Sequence, residues 1–152
     1  MRIRPATPED ANALTEIAFA AKRHWNYPED WIRRWQDLLT ITPEYVLENR
    51  VLVAVSEDEG EVIGFSAVSL QGEVALLDHL WVLPAFMGKG AGRALFSAAE
   101  QAARESAAVR MTILSDPHAE PFYLRMGAVL CGRESASMDG EERYLPLLGK
   151  AL

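Results

Sequence analysis

Between Val51 and Leu83 the chain drops its helical spacing of apolar residues and reads instead as three strands with little chain between them. "VLVAV" (Val51 to Val55), "VIGFSAVSL" and "EVALLDHLWVL" are the runs; "EDEGE" and "QG" are the turns, and Pro84 ends the last. Loops this short join only antiparallel neighbours, so the three strands form a meander. Before them, "RIRPA" reads as a strand and "TPED" opens a helix. Thr7 is its N-cap, Pro8 its first residue, and Glu9 and Asp10 sit on the positive end of the dipole. Leu14, Ile17, Ala18, Ala21 and Trp25 recur at helical spacing. "NYPEDWIRRWQDLL" repeats the pattern with Trp31, Trp35 and Leu39 or Leu38 as its stripe, and Thr42 to Tyr45 can start one more turn.

After the meander, "RALFSAAEQAARESA" is a strong helix and Val109 to Leu114 a strand. "DPHAEPFYLRM" is a short helix closed by Gly127, and "AVLCG" and "RYLPLL" are two final strands. Pro146 suits an edge or a bulge. The expected fold is a single α/β (α+β) domain over residues 1–152, a mixed and mostly antiparallel sheet with helices on both faces.

Composition narrows the class. The chain of 152 residues is 49% hydrophobic and 24% charged, a globular profile, with no apolar run near the ~20 residues of a membrane span. "MRIRPATPED" lacks the apolar core of a signal peptide. The single cysteine, Cys131, fits a reducing compartment and reads as a small core residue, so the expected location is the cytoplasm. A net charge of −7 argues against nucleic acid and permits a cationic small molecule.

"FMGKGAGRALF" (Phe86 to Phe96) packs Gly88, Gly90 and Gly92 in front of a helix. A P-loop requires Ser or Thr after GK, and Gly90 follows Lys89 here. A dinucleotide fingerprint requires different spacing and a βαβ setting. What remains is an anion nest of backbone N–H groups at a helix N-terminus, with Lys89 and Arg93 adding charge. A pyrophosphate suits it.

"VLPAFMGKGAGRALF" resembles the acetyl-coenzyme A loop of the GNAT superfamily of N-acetyltransferases, and "DPHAEPFYLRMGA" resembles that superfamily's second signature. Both stand in the superfamily's order, and the element order matches. The resemblance implies that backbone amides of Gly88, Gly90, Ala91, Gly92 and Arg93 hold the coenzyme A pyrophosphate. It implies that Leu80, Trp81 and Val82 line the pantetheine arm, that the Leu80 N–H polarises the thioester carbonyl, and that a bulge splays this strand from the next. Two positions depart from the pattern: Met87 replaces Arg or Gln, and Asp116 replaces Asn.

Acetyl transfer to an amine requires a base, oxyanion donors and an acid for the thiolate. Tyr123 occupies the superfamily's acid position; a core tyrosine is the alternative. Asp78 and His79 are strand neighbours and so are expected on opposite faces, Asp78 with Leu80 and Val82. Asp78 stands where the superfamily's base on this strand usually sits, with a structural carboxylate as the alternative; His79 reads as a satisfied buried imidazole. Trp25, Tyr27, Glu29 and Asp30 lie where the superfamily lines its acceptor site and could cage a cation. Alternatively Trp25 and Trp31 are core and the acids cap a helix. No metal spacing is present. The expectation is an acetyl-CoA-dependent N-acetyltransferase acting on a small-molecule or peptide amine, with no nucleic acid, membrane or metal partner and room for a homodimer. A non-catalytic acyl-CoA-binding module is the alternative.

Overall fold

The computed structural model describes Met1–Leu152. Its strands are β1 (Arg2–Pro5), β2 (Arg50–Val55), β3 (Val62–Gln71), β4 (Val74–Val82), β5 (Arg110–Leu114), β6 (Val129–Ser135) and β7 (Tyr144–Ala151). They form one sheet in the order β1-β2-β3-β4-β5-β7-β6. Only β4 and β5 run parallel; the remaining ladders are antiparallel. The expected sheet is the observed one.

Helices cover both faces. On one side α1 (Ala11–Arg23) buries Leu14, Ile17 and Ala18 against Val53, Phe65 and Ala67. On the other, α5 (Ala91–Glu105) buries Phe96, Ala99 and Ala103 against Val68, Leu77, Met111 and Leu148. Each fully buried Leu or Phe contributes about 2 kcal/mol. The expected helix start differs in detail: a 3-10 turn over Pro8–Asp10 precedes α1, the Thr7 side chain makes no capping hydrogen bond, and Asp10 instead accepts the Thr7 N–H at 2.8 Å and Arg4 Nη1 at 2.9 Å.

Three readings need correction. The helix expected over "NYPEDWIRRWQDLL" breaks at Trp35 into α2 (Glu29–Arg34) and α3 (Gln36–Leu39), with α4 (Pro43–Glu48) following. A stripe at i, i+4, i+8 creeps around a straight helix; the break leaves Leu39 buried and Leu38 exposed. Pro146 lies on β7, an interior strand. It is tolerated because β5 ends at Leu114, and the Pro146 carbonyl takes the Ser115 N–H at 2.8 Å just beyond. Cys131 is exposed rather than core, at the register shift of edge strand β6.

The feature that positions the site is a bulge. Val68 pairs with Leu77 and Ala67 with His79, leaving Asp78 as the extra residue on β4. The parallel ladder to β5 covers Val74 to Leu77 and stops there. Beyond the bulge β4 diverges from β5 and a gap opens through the sheet.

Candidate active site

The gap is the floor of a cleft of about 670 Å³. On the α5 side its wall is the glycine loop. Gly88 and Gly90 have φ of +74° and +93°, a region costly for any side chain. A Cβ on Gly92 would come within 3.4 Å of the Phe122 ring. The first intrahelical bond here runs from Ala94 to the Gly90 carbonyl, so the N–H groups of Ala91, Gly92 and Arg93 have no partner within α5. No side chain caps this helix and its first turn holds no acid. A bare, positively polarised helix end beside Arg93 fits a pyrophosphate. Met87 lines the cleft beside it. Ala91 turns its methyl into the core with Ala54, Ile63 and Leu95 and leaves only its N–H for the loop. Lys89 departs from expectation: its side chain lines a separate depression with Glu57 and Asp58, its ammonium 5.8 Å from the Phe86 ring.

Leu80, Trp81 and Val82 all line the gap. The Leu83 N–H bonds to the Ile63 carbonyl at 2.8 Å, which sets the phase of the β3–β4 ladder. His79 and Trp81 therefore turn their backbone groups to β3, and Leu80 and Val82 turn theirs into the gap. Tyr123, on α6 (Glu120–Arg125), closes the far side of the gap, buried beside Phe96 and Phe122. Burial and the negative charge of Asp116 push its phenol up, so it keeps its proton.

On the α1 side the bulge overturns the expected strand phase. Asp78 and His79 share a face instead of opposing one another, with the His79 Nε2 3.8 Å from the Asp78 carboxylate. Both face Tyr45 of α4, whose hydroxyl donates to Asp78 and whose ring lies edge-on to His79. Leu80 instead packs toward α5, so Asp78 does not share its face. The Trp81 indole donates to His79 Nδ1 at 3.0 Å. Burial holds the His79 pKa down, against the pull of Asp78.

The expected cage of Trp25 and Tyr27 with Glu29 and Asp30 does not form; a different set of rings, Tyr27, Trp31 and Trp35, encloses the protein's own cations. Arg143, just before β7, sits 5.2 Å from the Tyr27 and Trp35 rings and 5.4 Å from Trp31. Lys22 lies 4.3 Å from Trp35 and 4.8 Å from Tyr27. Glu29 pairs with Arg23 and Asp30 with Arg33 and Arg34 on the surface, so neither acid reaches the cleft. Tyr27 is drawn away from the cleft wall into this cluster, and Trp25 alone of the four reaches the cleft, its ring stacked 4.6 Å from His118.

Asp116 anchors the cluster. Its carboxylate takes Lys22 Nζ at 2.7 Å, the Tyr27 hydroxyl at 2.9 Å and the His118 N–H at 2.9 Å. Burial works to raise its pKa, but the Lys22 ammonium and these donors hold it at about 2. Burial pulls Lys22 down against Asp116's opposing pull, and raises Tyr27 to about 12. Lys22, Tyr45, His118 and Arg143 were not singled out by local sequence; their roles come from partners far along the chain. No group of three or more His, Cys, Asp or Glu side chains converges as a metal set.

A sequence model of the acetyltransferase (GNAT) family matches residues 12–128. The chain is 37% identical over 99 residues to streptothricin acetyltransferase of Streptomyces lavendulae, covering 61% of this chain and 51% of that protein. The match thus spans about half the length of that relative. It is 30% identical over 128 residues to the uncharacterized N-acetyltransferase YhfO of Bacillus subtilis (strain 168), covering 78% of this chain and 80% of that one. A crystal structure described as a GCN5-related N-acetyltransferase (aminotransferase, class II) from Rhodopseudomonas palustris superposes with a TM-score of 0.82 at 26% identity, covering 99% of this chain and 95% of that one.

Proposed function

Because the chain belongs to the acetyltransferase (GNAT) family, we propose that it moves the acetyl group of acetyl-CoA onto a primary amine of a small molecule or peptide by direct attack. The observation that carries this reading is the continuous cleft. It joins a bare helix N-terminus, two residues with backbone groups turned into a gap, a protonated phenol and a carboxylate. When bound, acetyl-CoA supplies an activated carbonyl and a thiol leaving group.

The chain's own residues then divide the work. The N–H groups of Gly88, Gly90, Ala91, Gly92 and Arg93 hold the pyrophosphate. Backbone groups of Leu80 and Val82 would pair the pantetheine arm where β5 has diverged from β4, and the Leu80 N–H would donate to the thioester oxygen. Tyr123 holds the proton destined for sulfur, and Asp78 accepts the proton that the amine must lose, directly or through water. The reaction runs in a single domain over residues 1–152, read as cytoplasmic, and calls on no metal.

Thermal shift and thiol release test this together. Acetyl-CoA at about 100 times its dissociation constant should add about 2.7 kcal/mol of stability, and ATP or NAD much less. Equal shifts from ATP would make the loop a generic phosphate site. Stabilisation without thiol release for any amine would leave a binding module. Met87→Arg should tighten coenzyme A, and unchanged affinity would place that side chain away from the phosphates.

A further inference from the structure

The two ends of the cleft differ in which charges remain available. Away from α1, Arg93 at the start of α5 and Arg125 at the end of α6 line the wall. At the α1 end every nearby cation is already committed. Lys22 is held by Asp116 at 2.7 Å, the two side chains only 12% and 9% exposed. Arg143 is enclosed by three rings and donates to the Tyr27 hydroxyl at 3.3 Å. His118 places Nδ1 2.8 Å from Asp116. His79 is buried and held toward its neutral form. Asp78 differs: its side chain is 37% exposed, lines the cleft, and faces only Tyr45 and His79.

An entering amine therefore meets one carboxylate and no uncommitted cation. We propose, resting on the acetyltransferase reading, that the acceptor is a cationic primary amine with no carboxylate near its reacting nitrogen. Such an amine arrives as ammonium beside Asp78. An acceptor with a carboxylate close by would give up that group's hydration for no partner and would face Asp78 across a partly dry cleft. In the transfer, nitrogen bonds to the acetyl carbon as the carbon–sulfur bond breaks. The ammonium gives one proton through Asp78 to water before it attacks and a second to Asp78 as the amide forms; sulfur takes the Tyr123 proton, and the phenolate regains one from solvent.

The test uses three amines of similar reach: 1,3-diaminopropane, propylamine and β-alanine. Each is titrated by calorimetry into the coenzyme A-saturated protein, and each is assayed for thiol release from acetyl-CoA. Diaminopropane and propylamine should bind and react at least about tenfold better than β-alanine, the least expected for one unpaired charge. In Asp78→Asn, diaminopropane should bind about tenfold more weakly while coenzyme A binding, which reports folding, holds. β-Alanine equal to or better than the others overturns the proposal, as does failure of diaminopropane and propylamine to bind. Selective binding without thiol release overturns the catalytic reading and leaves the charge selection standing.

Discussion

The Trp81 indole N–H points at Nδ1 of His79, 3.0 Å away. An indole can only donate, so Nδ1 is the unprotonated nitrogen and the neutral ring carries its proton on Nε2, toward Asp78. His79 cannot accept a proton at Nδ1 without losing this bond, which leaves the carboxylate as the group able to take one.

Asp78→Asn should therefore cut kcat by about 10²-fold or more and leave coenzyme A affinity in place. His79→Gln should cost about 1 kcal/mol of stability through the weakened indole bond, with kcat nearly kept. The measurement is kcat against pH for both variants. Loss of the acidic limb in His79→Gln but not in Asp78→Asn would make the imidazole the base.

Tyr123→Phe keeps the ring among Phe96 and Phe122 and removes only the hydroxyl. Turnover should fall by about 10²–10⁴-fold, the range for a positioned acid, with coenzyme A affinity within threefold. Intact turnover would mean that sulfur leaves without this proton.

The Lys22–Asp116 pair gives a pH signature. Asp116 falls from its ordinary 3.8 to about 2 in the folded protein, so its contribution to stability is full above pH 3.8 and is lost as pH falls toward 2. Denaturant midpoints measured across that window should drop in the wild type. Asp116→Asn should show a shallower drop, Asp10 beside Arg4 still contributing its share, and, by leaving Lys22 buried and unpaired, should lose roughly 3–5 kcal/mol at neutral pH. Combining it with Lys22→Met should recover part of the loss. A wild-type slope retained in Asp116→Asn would assign the titration elsewhere.

Ala107 ends α5 in the left-handed region, with φ of +66°, where the Ala108 N–H reaches back to the Ala103 carbonyl at 3.0 Å. This position favours glycine. Ala107→Gly should stabilise the protein by about 0.5–1 kcal/mol after the unfolded chain's added entropy is counted. Thermal melting should rise by roughly 2–4 °C per kcal/mol, and a lower melting point would sink the argument.

Much of this molecule is legible locally. Short turns dictate the meander, Thr7 and Asp10 mark a helix start, and three glycines before an apolar-periodic helix announce the anion nest. The bulge is not legible, because an extra residue carries no compositional mark. Counting alternation through Asp78 therefore gave His79 and Leu80 the wrong faces. Nor could the ring cluster be read as filled. Trp25 and Tyr27 beside Glu29 and Asp30 advertise a cation site, but nothing near them in sequence reveals that Tyr27 turns instead to Trp31, Trp35 and Arg143. Pro146 misled for a related reason: whether a proline harms a strand depends on where its neighbour stops.

That filling has a chronological consequence. The partners that hold the early rings arrive very late: Asp116 lies 89 residues after Tyr27, Asp139 lies 108 after Trp31, and Arg143 lies 116 after Tyr27. Contacts so distant close only after the chain between them has been gathered in. The wall nearest the start of the polypeptide should thus be among the last parts to settle during folding and synthesis. Three of the four tryptophans, Trp25, Trp31 and Trp35, belong to it. Their fluorescence should lag behind the appearance of helix and sheet when the protein refolds, and a ribosome still short of Arg143 should expose a nascent chain whose rings lack the guanidinium they close upon.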